Sequence, residues 1–311
     1  MRLLCSDHER EPGALRVGSA HPVVPQLSEK RPPEAGLVSC PYGTRRAAER
    51  SHLPALRAVP GYELRALSAS SRQSAERSGQ KHGVSRAFGT AAELAACDEV
   101  DLVVVAVKVP HHRELVRTAL SAGRSVLCEW PLGNGLAEAE DMARSARGRA
   151  VPTVVGLQAR SHPVLAYARH LVADGYVGEV LSTTVVGSGG ARGATVGPGD
   201  HHVLDAANGA TLLTVPFGHA LDGLASVLGE PEELRIRQVS RRTSAVDTES
   251  GRPVPMTAAD QVVASGRLPG GAVAHAYRQF LDDLREGTSR VPDFAHGVAR
   301  HRSIASVTTA A

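Results

Sequence analysis

Apolar runs alternate with helical patterns along the first half of the chain, and this alternation restricts the fold more than any other feature. The runs are AGLVSC, YELRALSAS, DLVVVAVK and SVLCEW, with one more in VPTVVGLQAR, and amphipathic segments separate them. Strands that are apolar throughout are typical of a parallel sheet covered by helices on both faces. The sequence therefore predicts an α/β fold with a Rossmann-type, doubly wound parallel sheet over residues 35–150.

The character of the sequence changes after Gly178. VLSTTVVGSG, ELRIRQVS and DQVVASGRL read as strands with fewer apolar residues and Gly-rich turns, as in a sheet with one solvated face. Two helical patterns follow, HAYRQFLDDLREG and DFAHGVARHRSIASV. We therefore predict a second α/β domain over residues 151–311, with an open, mostly antiparallel sheet.

The composition indicates the cellular environment of the protein and excludes some classes of partner. Residues 1–34 are rich in Pro, Glu, Arg and Ser without a regular period, which predicts a flexible arm. The 35 Lys and Arg are scattered and nearly balanced by 32 Asp and Glu, so no nucleic-acid partner is expected. Neither a signal peptide nor an apolar membrane span is seen. The four cysteines lack metal or disulfide spacing, and a reducing, cytoplasmic location is expected.

Five motifs occur in an order that is similar to the Gfo/Idh/MocA oxidoreductases. They are VDLVVVAVKVPHH, AGRSVLCEWPLGNGLAEAEDMA, VVGLQAR, DGYVGEVLSTTVVGSG and PFGHALDGL. The resemblance extends from about Gly36 to the C-terminus, and the EWPLG motif resembles the branch that contains the fungal galactose-pathway repressor. The resemblance implies that NAD or NADP binds to the Rossmann domain, and that a sugar-like ligand lies against the C-terminal sheet.

The central motif differs from that of the family's catalytic members. They carry Glu-Lys-Pro where this chain has Glu129, Trp130 and Pro131. The resemblance implies a lysine beside the nicotinamide, where a partly desolvated ammonium can relay protons. Indole cannot do so, and Trp130 is expected either to pack on the nicotinamide or the ligand, or to seal the sheet edge as a core residue. The resemblance also implies a cis peptide before Pro131.

A second catalytic element of the family is an Asp followed four residues later by a His on a helix facing the nicotinamide. His219 matches the histidine, but Val215 stands at the position of the acid. His219 is therefore the one catalytic candidate, either bonded to a ligand hydroxyl or a satisfied helix histidine. His112 matches a family histidine after the fourth strand and is assigned to the cofactor site, with a helix N-terminal role as the alternative.

Further polar residues follow strands at the same predicted edge of the sheet. Lys108 is predicted to contact a cofactor phosphate or ribose, with a solvated strand end as the alternative. Gln158 and Arg160 are predicted to hold an anionic or hydroxylated ligand, or else to form salt bridges. The stretch DHHVLD, residues 200–205, has no matching ligand set at metal spacing elsewhere, so no metal site is predicted.

The dinucleotide loop is incomplete. A fingerprint needs glycines that let backbone N–H groups approach the pyrophosphate, and only Gly36 and Gly43 remain in AGLVSCPYGTRR. After the second strand, Ser70, Ser71 and Arg72 replace the acid that bonds the ribose of NAD. The sequence therefore predicts NADP in preference to NAD.

Three functions are compatible with these residues. An NADP-linked oxidoreductase acting on a sugar-like alcohol or carbonyl agrees with the ordered motifs, although the catalytic Lys and Asp are absent. A non-catalytic sensor that binds NAD(P) or a metabolite and signals to a partner is favoured by Trp130. A decayed relative that binds nothing is the third, because the glycine loop is incomplete and the C-terminal sheet is short. The resemblance implies that this sheet carries the oligomer interface, so the oligomeric state stays open, with a homodimer as one alternative.

Overall fold

Six parallel strands form one sheet in the computed structural model, which describes residues 34–39, 48–149, 151–178, 180–190, 192–268 and 294–305. The strands are β1 (Glu34–Ser39), β2 (Glu63–Ser68), β3 (Arg86–Phe88), β4 (Leu102–Ala106), β5 (Ser125–Glu129) and β6 (Thr153–Gly156). They lie in the order β3-β2-β1-β4-β5-β6, and each neighbouring pair is parallel. The predicted Rossmann-type sheet is confirmed, and its strand order reverses between β1 and β4.

Helices connect these strands, as the amphipathic segments between the apolar runs predicted. They are α1 (Leu53–Ala58), which follows a π-helical turn over Ala48–His52, α2 (Arg72–His82), α3 (Ala91–Ala96), α4 (His112–Ser121) and α5 (Leu136–Arg147). Side-chain caps fix two of the starts: the hydroxyls of Ser71 and Thr90 accept hydrogen bonds from backbone N–H groups three residues later. These caps satisfy donors that the first helical turn leaves unpaired.

Alternate residues of β4 enter two different apolar clusters. Val103 and Val105 pack with residues of α4 and α5, whereas Val104 and Ala106 pack with Leu53 of α1 and its neighbours. Successive side chains of a strand point to opposite faces, so both faces of the sheet are buried. This burial explains why the strands are apolar throughout.

The C-terminal half has smaller sheets. Strands β7 (Thr195–Val196), β9 (Ser244–Asp247) and β10 (Pro253–Pro255) form one, and β8 (Glu233–Val239) pairs with β11 (Gln261–Arg267). The β9–β10 and β8–β11 pairs are antiparallel and the β7–β9 pair is parallel, as expected for a mostly antiparallel domain. The helices here are α6 (Pro163–Ala173), α7 (Gly218–Leu228) and α8 (Phe294–Ala305).

The predicted strand over VLSTTVVGSG is wrong, because residues 180–189 form no strand. Leu181 and Val186 are 85% and 91% exposed. β-Branched residues favour an extended backbone, but a strand is stable only where a neighbour takes its backbone hydrogen bonds. In the described part of the chain β9 pairs with β7 and β10 instead.

Some predictions concern residues outside the described ranges. They are the arm as far as residue 33, the loop residue Gly43, the thiols of Cys5 and Cys40, and the pattern HAYRQFLDDLREG. The domain division at residue 150 also stays a prediction; β6 extends the parallel sheet to Gly156.

Cys97 and Cys128 are free thiols. No helix among the described residues has the length and apolar character needed to cross a bilayer.

Candidate functional site

The carboxyl edge of the parallel sheet is where this topology places ligands, beside the reversal in strand order. Lys108 lies just after β4; Glu129 ends the neighbouring strand β5, and Trp130 directly follows it. Gly36 lies within β1, where it pairs with Ala66 and Val103, and so precedes the loop itself. The structure thus brings the predicted residues of β4 and β5 to one edge.

Trp130 is buried and held by contacts from two other parts of the chain. Its indole Nε1 donates a hydrogen bond to the Thr214 carbonyl oxygen at 2.6 Å. The centroid of its ring lies 4.8 Å from that of His301 on α8, at an interplanar angle of 42°. A Cβ atom added at Gly218 would come within 2.6 Å of Nε1, so only glycine fits there without a shift. Trp130 therefore links the end of β5 to α7 and α8, through a peptide to Pro131 that is cis, as predicted.

His301 supports the other side of the indole and was not found from the sequence. Its Nε2 accepts a hydrogen bond from the Gly133 N–H at 3.3 Å, in the loop after Pro131. Burial, together with the positive charge of His112, lowers the pKa of His301 to about 4. The ring is therefore neutral at physiological pH and acts as an acceptor.

His112 is the first residue of α4 and is buried among backbone carbonyls. Its Nδ1 lies 2.9 Å from the Pro131 oxygen, and its Nε2 lies 3.0 Å from the Val107 oxygen. Burial lowers the pKa of His112 despite these contacts. Both nitrogens face backbone oxygens, so this residue joins the end of β4 to the cis-proline loop and leaves no ring nitrogen for a cofactor.

Glu129 and His219 form the polar part of the edge beside Trp130. His52, which the sequence did not suggest, places its Nε2 2.7 Å from a carboxylate oxygen of Glu129. Burial lowers the pKa of His219, whereas the negative charges of Glu129 and Asp222 act in the opposite direction. Gly218, the residue before His219, lies against the indole of Trp130. An imidazole and a carboxylate thus lie close to the position of the missing lysine.

Val215 replaces the family's acid with an apolar contact. It lies in a π-helical turn over Leu213–Phe217 and packs against an apolar cluster that includes Val109, Val196 and Leu204. No carboxylate is available at this position to orient His219.

Gln158 and Arg160 have different surroundings. Arg160 donates to both oxygens of the buried Asp222, at 2.9 and 2.6 Å, and also lies 2.8 Å from His296. Burial alone would raise the pKa of Asp222, but hydrogen bonds from His296 and Arg160 bring it well below its usual range. Arg160 is therefore in the predicted salt bridge. Gln158 is exposed at the start of a short 3-10 turn and is open to a ligand.

The end of β2 has features that fit an adenosine ribose. The hydroxyl of Ser68 is buried and has no hydrogen-bond partner among the residues that the structure describes. Ser70 is exposed, Ser71 caps α2, and the exposed Arg72 pairs with Glu93 at 3.1 Å. A sugar hydroxyl can satisfy the Ser68 oxygen, and the other side chains leave no acid at the position that bonds the ribose of NAD.

Lys108 is half-buried, and residues 200–205 cover the end of its strand. His201 pairs with Asp247 at 2.6 Å, and Asp205 accepts hydrogen bonds from the backbone at Ala207 and from Thr257. Across the described ranges, no group of three His, Cys, Asp or Glu side chains is arranged to hold a metal ion.

The strand order, with its reversal between β1 and β4, defines a Rossmann-type α/β protein. Residues 42–157 match the Gfo/Idh/MocA model, described as an oxidoreductase family with an NAD-binding Rossmann fold. Residues 163–279 match the C-terminal domain of Gal80p. The N-terminal part of the chain thus resembles the Gfo/Idh/MocA oxidoreductases, and the C-terminal part resembles the C-terminal domain of Gal80p.

Sequence relatives include both enzymes and regulators. The chain is 38% identical over 171 residues to the dehydrogenase aclE of Aspergillus oryzae, covering 54% of this chain and 46% of that protein. It is 28% identical over 207 residues to the galactose/lactose metabolism regulatory protein GAL80 of Saccharomyces cerevisiae, covering 60% and 46%. The chain thus spans about half the length of these relatives.

A solved structure with the same fold is a super-repressor mutant of Gal80p from Saccharomyces cerevisiae. The TM-score is 0.77 at 21% identity, and the match covers 89% of this chain and 95% of that one. At this identity the match shows the shared fold alone.

Proposed function

We propose that this protein binds NADP, or NAD, at the carboxyl edge of its parallel sheet and senses a sugar-like ligand there without catalysing its oxidation. One observation carries the proposal: Trp130 stands at the lysine position, buried, with its only N–H group donated to Thr214. No proton can be relayed from that position. Val215 removes the second usual acid/base group.

The cofactor is expected to contact residues at the ends of β1, β2 and β5. Gly36 and Gly43 are proposed for the pyrophosphate side, and Ser68, Ser70 and Ser71 for the adenosine ribose. Arg72 is proposed to hold a 2′-phosphate, and Glu129, Trp130 and Pro131 to border the nicotinamide. A bound nicotinamide would supply hydride transfer in an enzyme, whereas in a sensor its redox state would be the signal.

A ligand beside the nicotinamide would meet His219 and Gln158. The half-buried imidazole of His219 is suited to a hydroxyl, because its lowered pKa keeps it neutral and able to accept a hydrogen bond. Trp130 excludes water from that side of the site, because its indole is buried against Gly218 and His301.

A dehydrogenase is the second candidate, and His219 is the observation that favours it. A neutral imidazole beside Glu129 can accept the proton that leaves an alcohol during hydride transfer. The resemblance to a dehydrogenase of Aspergillus oryzae supports this candidate.

Fluorescence titration separates these functions, because Trp130 is the only tryptophan. Addition of NADPH should change its emission at lower concentration than NADH. The same sample, with NADP and a panel of sugars and polyols, should show no turnover at 340 nm. Turnover that His219→Ala abolishes would establish the dehydrogenase, and absence of binding to either cofactor would refute both candidates.

A further inference from the structure

A second group of polar residues lies at the same edge, beyond Trp130. The segment over residues 192–210 crosses the end of β4, where Val203 and Ala210 pack in one apolar cluster with Val109. Asn134, in the loop after β5, fixes the same segment by donating to the Ala207 carbonyl at 2.9 Å. Residues of this segment therefore border the site from the side of Lys108.

Arg192 and His202 of this segment have buried nitrogens that no described residue bonds. Arg192 donates to the carbonyls of Ala210, at 2.9 Å, and Gly189, at 3.4 Å, but its Nε has no hydrogen-bond partner in the described ranges. The Nδ1 of His202 is buried and likewise has none there. Unsatisfied buried polar groups are rare in native proteins because each costs about 1–3 kcal/mol, and a missing ligand or water is a common reason for one.

The packing of this segment brings three basic side chains to one part of the fold. Val203, the neighbour of His202, and Ala210, whose carbonyl accepts a hydrogen bond from Arg192, pack in one cluster with Val109, the neighbour of Lys108. Burial lowers the pKa of His202, and the positive charge of Lys108 lowers it further; Asp200 and the Gly199 carbonyl oppose this, and Arg192 adds to it. Two permanent cations and one carboxylate leave a net positive charge beside the ligand edge.

We propose that Lys108, Arg192 and His202 bind an anionic group of the ligand, a carboxylate or a phosphate, so that the preferred ligand is an acidic sugar derivative. Charge-assisted hydrogen bonds from buried cations to an oxyanion are about twice as strong as neutral ones. Lys108 follows β4 and Trp130 follows β5, and these two strands are neighbours in the sheet, so the anionic group would lie beside the proposed ligand site. This inference rests on the proposed ligand-binding function and adds the chemistry of the ligand.

The test is calorimetric titration of the full chain with D-glucuronate, D-glucose 6-phosphate and D-glucose, with and without saturating NADPH. At least one of the anionic sugars should bind more tightly than glucose, and the comparison between them distinguishes carboxylate from phosphate. Lys108→Met should weaken binding of the anionic sugar about 10- to 100-fold, the loss typical of one charge-assisted hydrogen bond. Lys81→Met is the matched control, because Lys81 is exposed on α2 and pairs with Glu49.

The titrations of the wild-type protein test the proposal even if a variant fails to fold. The proposal is overturned if glucose binds as tightly as both anionic sugars, or if neither anion binds to the NADPH-loaded protein. It is also overturned if Lys108→Met weakens NADPH binding and leaves binding of the anionic sugar unchanged, since Lys108 would then serve the cofactor phosphates. Failure of the wild-type protein to bind NADPH, with anion binding retained, would refute the proposed cofactor function alone.

Discussion

Replacing Trp130 with Phe should destabilise the protein by about 3–5 kcal/mol, because Trp130 joins three parts of the chain. The change removes the N–H group bonded to the Thr214 carbonyl, and loss of a partner for a buried acceptor costs about 1–3 kcal/mol. Besides that nitrogen it removes two buried ring carbons, at roughly 0.8 kcal/mol each by analogy with a methylene group. These two contributions give most of the expected loss.

Urea unfolding followed by circular dichroism measures this loss, since the variant has no tryptophan to report by fluorescence. Tyr176→Phe is the control: Tyr176 is 77% exposed, and a surface substitution of this kind changes stability by less than about 0.5 kcal/mol. A loss below about 1 kcal/mol for Trp130→Phe would show that the indole does not hold the edge together, and the structural account of this residue would fail.

Three further outcomes are expected. Arg72→Asp should weaken NADPH binding more than NADH binding, because a carboxylate repels the 2′-phosphate; equal losses would show that this loop does not select the cofactor. Trp130→Lys should restore at most a trace of turnover and only with His219 intact, since one general acid/base group contributes roughly 10²–10⁴-fold; robust wild-type turnover would contradict this. The pKa of His301 is lowered from 6.5 to about 4 on folding, so the unfolded chain binds the extra proton and stability should fall as pH drops through this range, by roughly 3 kcal/mol in total. His301→Gln should flatten that slope in pH-dependent urea unfolding, and an unchanged slope would assign the titration to other groups.

The parallel sheet could be predicted because a strand that is buried on both faces has a continuous apolar sequence, as the valines of β4 show. Helix bounds such as Leu136–Arg147 follow from apolar periodicity in the same way. Trp130 and His219 were identified because a family motif fixes their positions, and Trp130 directly follows β5 at the carboxyl edge of the sheet.

The contacts that hold the edge together were not predictable. His301 meets the cis-proline loop across 168 residues, and His52 meets Glu129 across 77. Neither histidine has a local pattern that distinguishes it from a surface residue. The strand expected over 180–189 is wrong for a related reason, since local propensity cannot tell whether a neighbouring strand will be present.

The long separation between His301 and the cis-proline loop has a consequence for how the protein folds. During synthesis the parallel sheet emerges well before α8, so its strands and crossover helices can assemble while the Trp130 face has no helix against it. Contacts between distant residues form slowly, because a long loop must first be closed. The ligand edge should therefore be the last part of the sheet to become native, and an apolar indole should stay accessible to chaperones until α8 has docked.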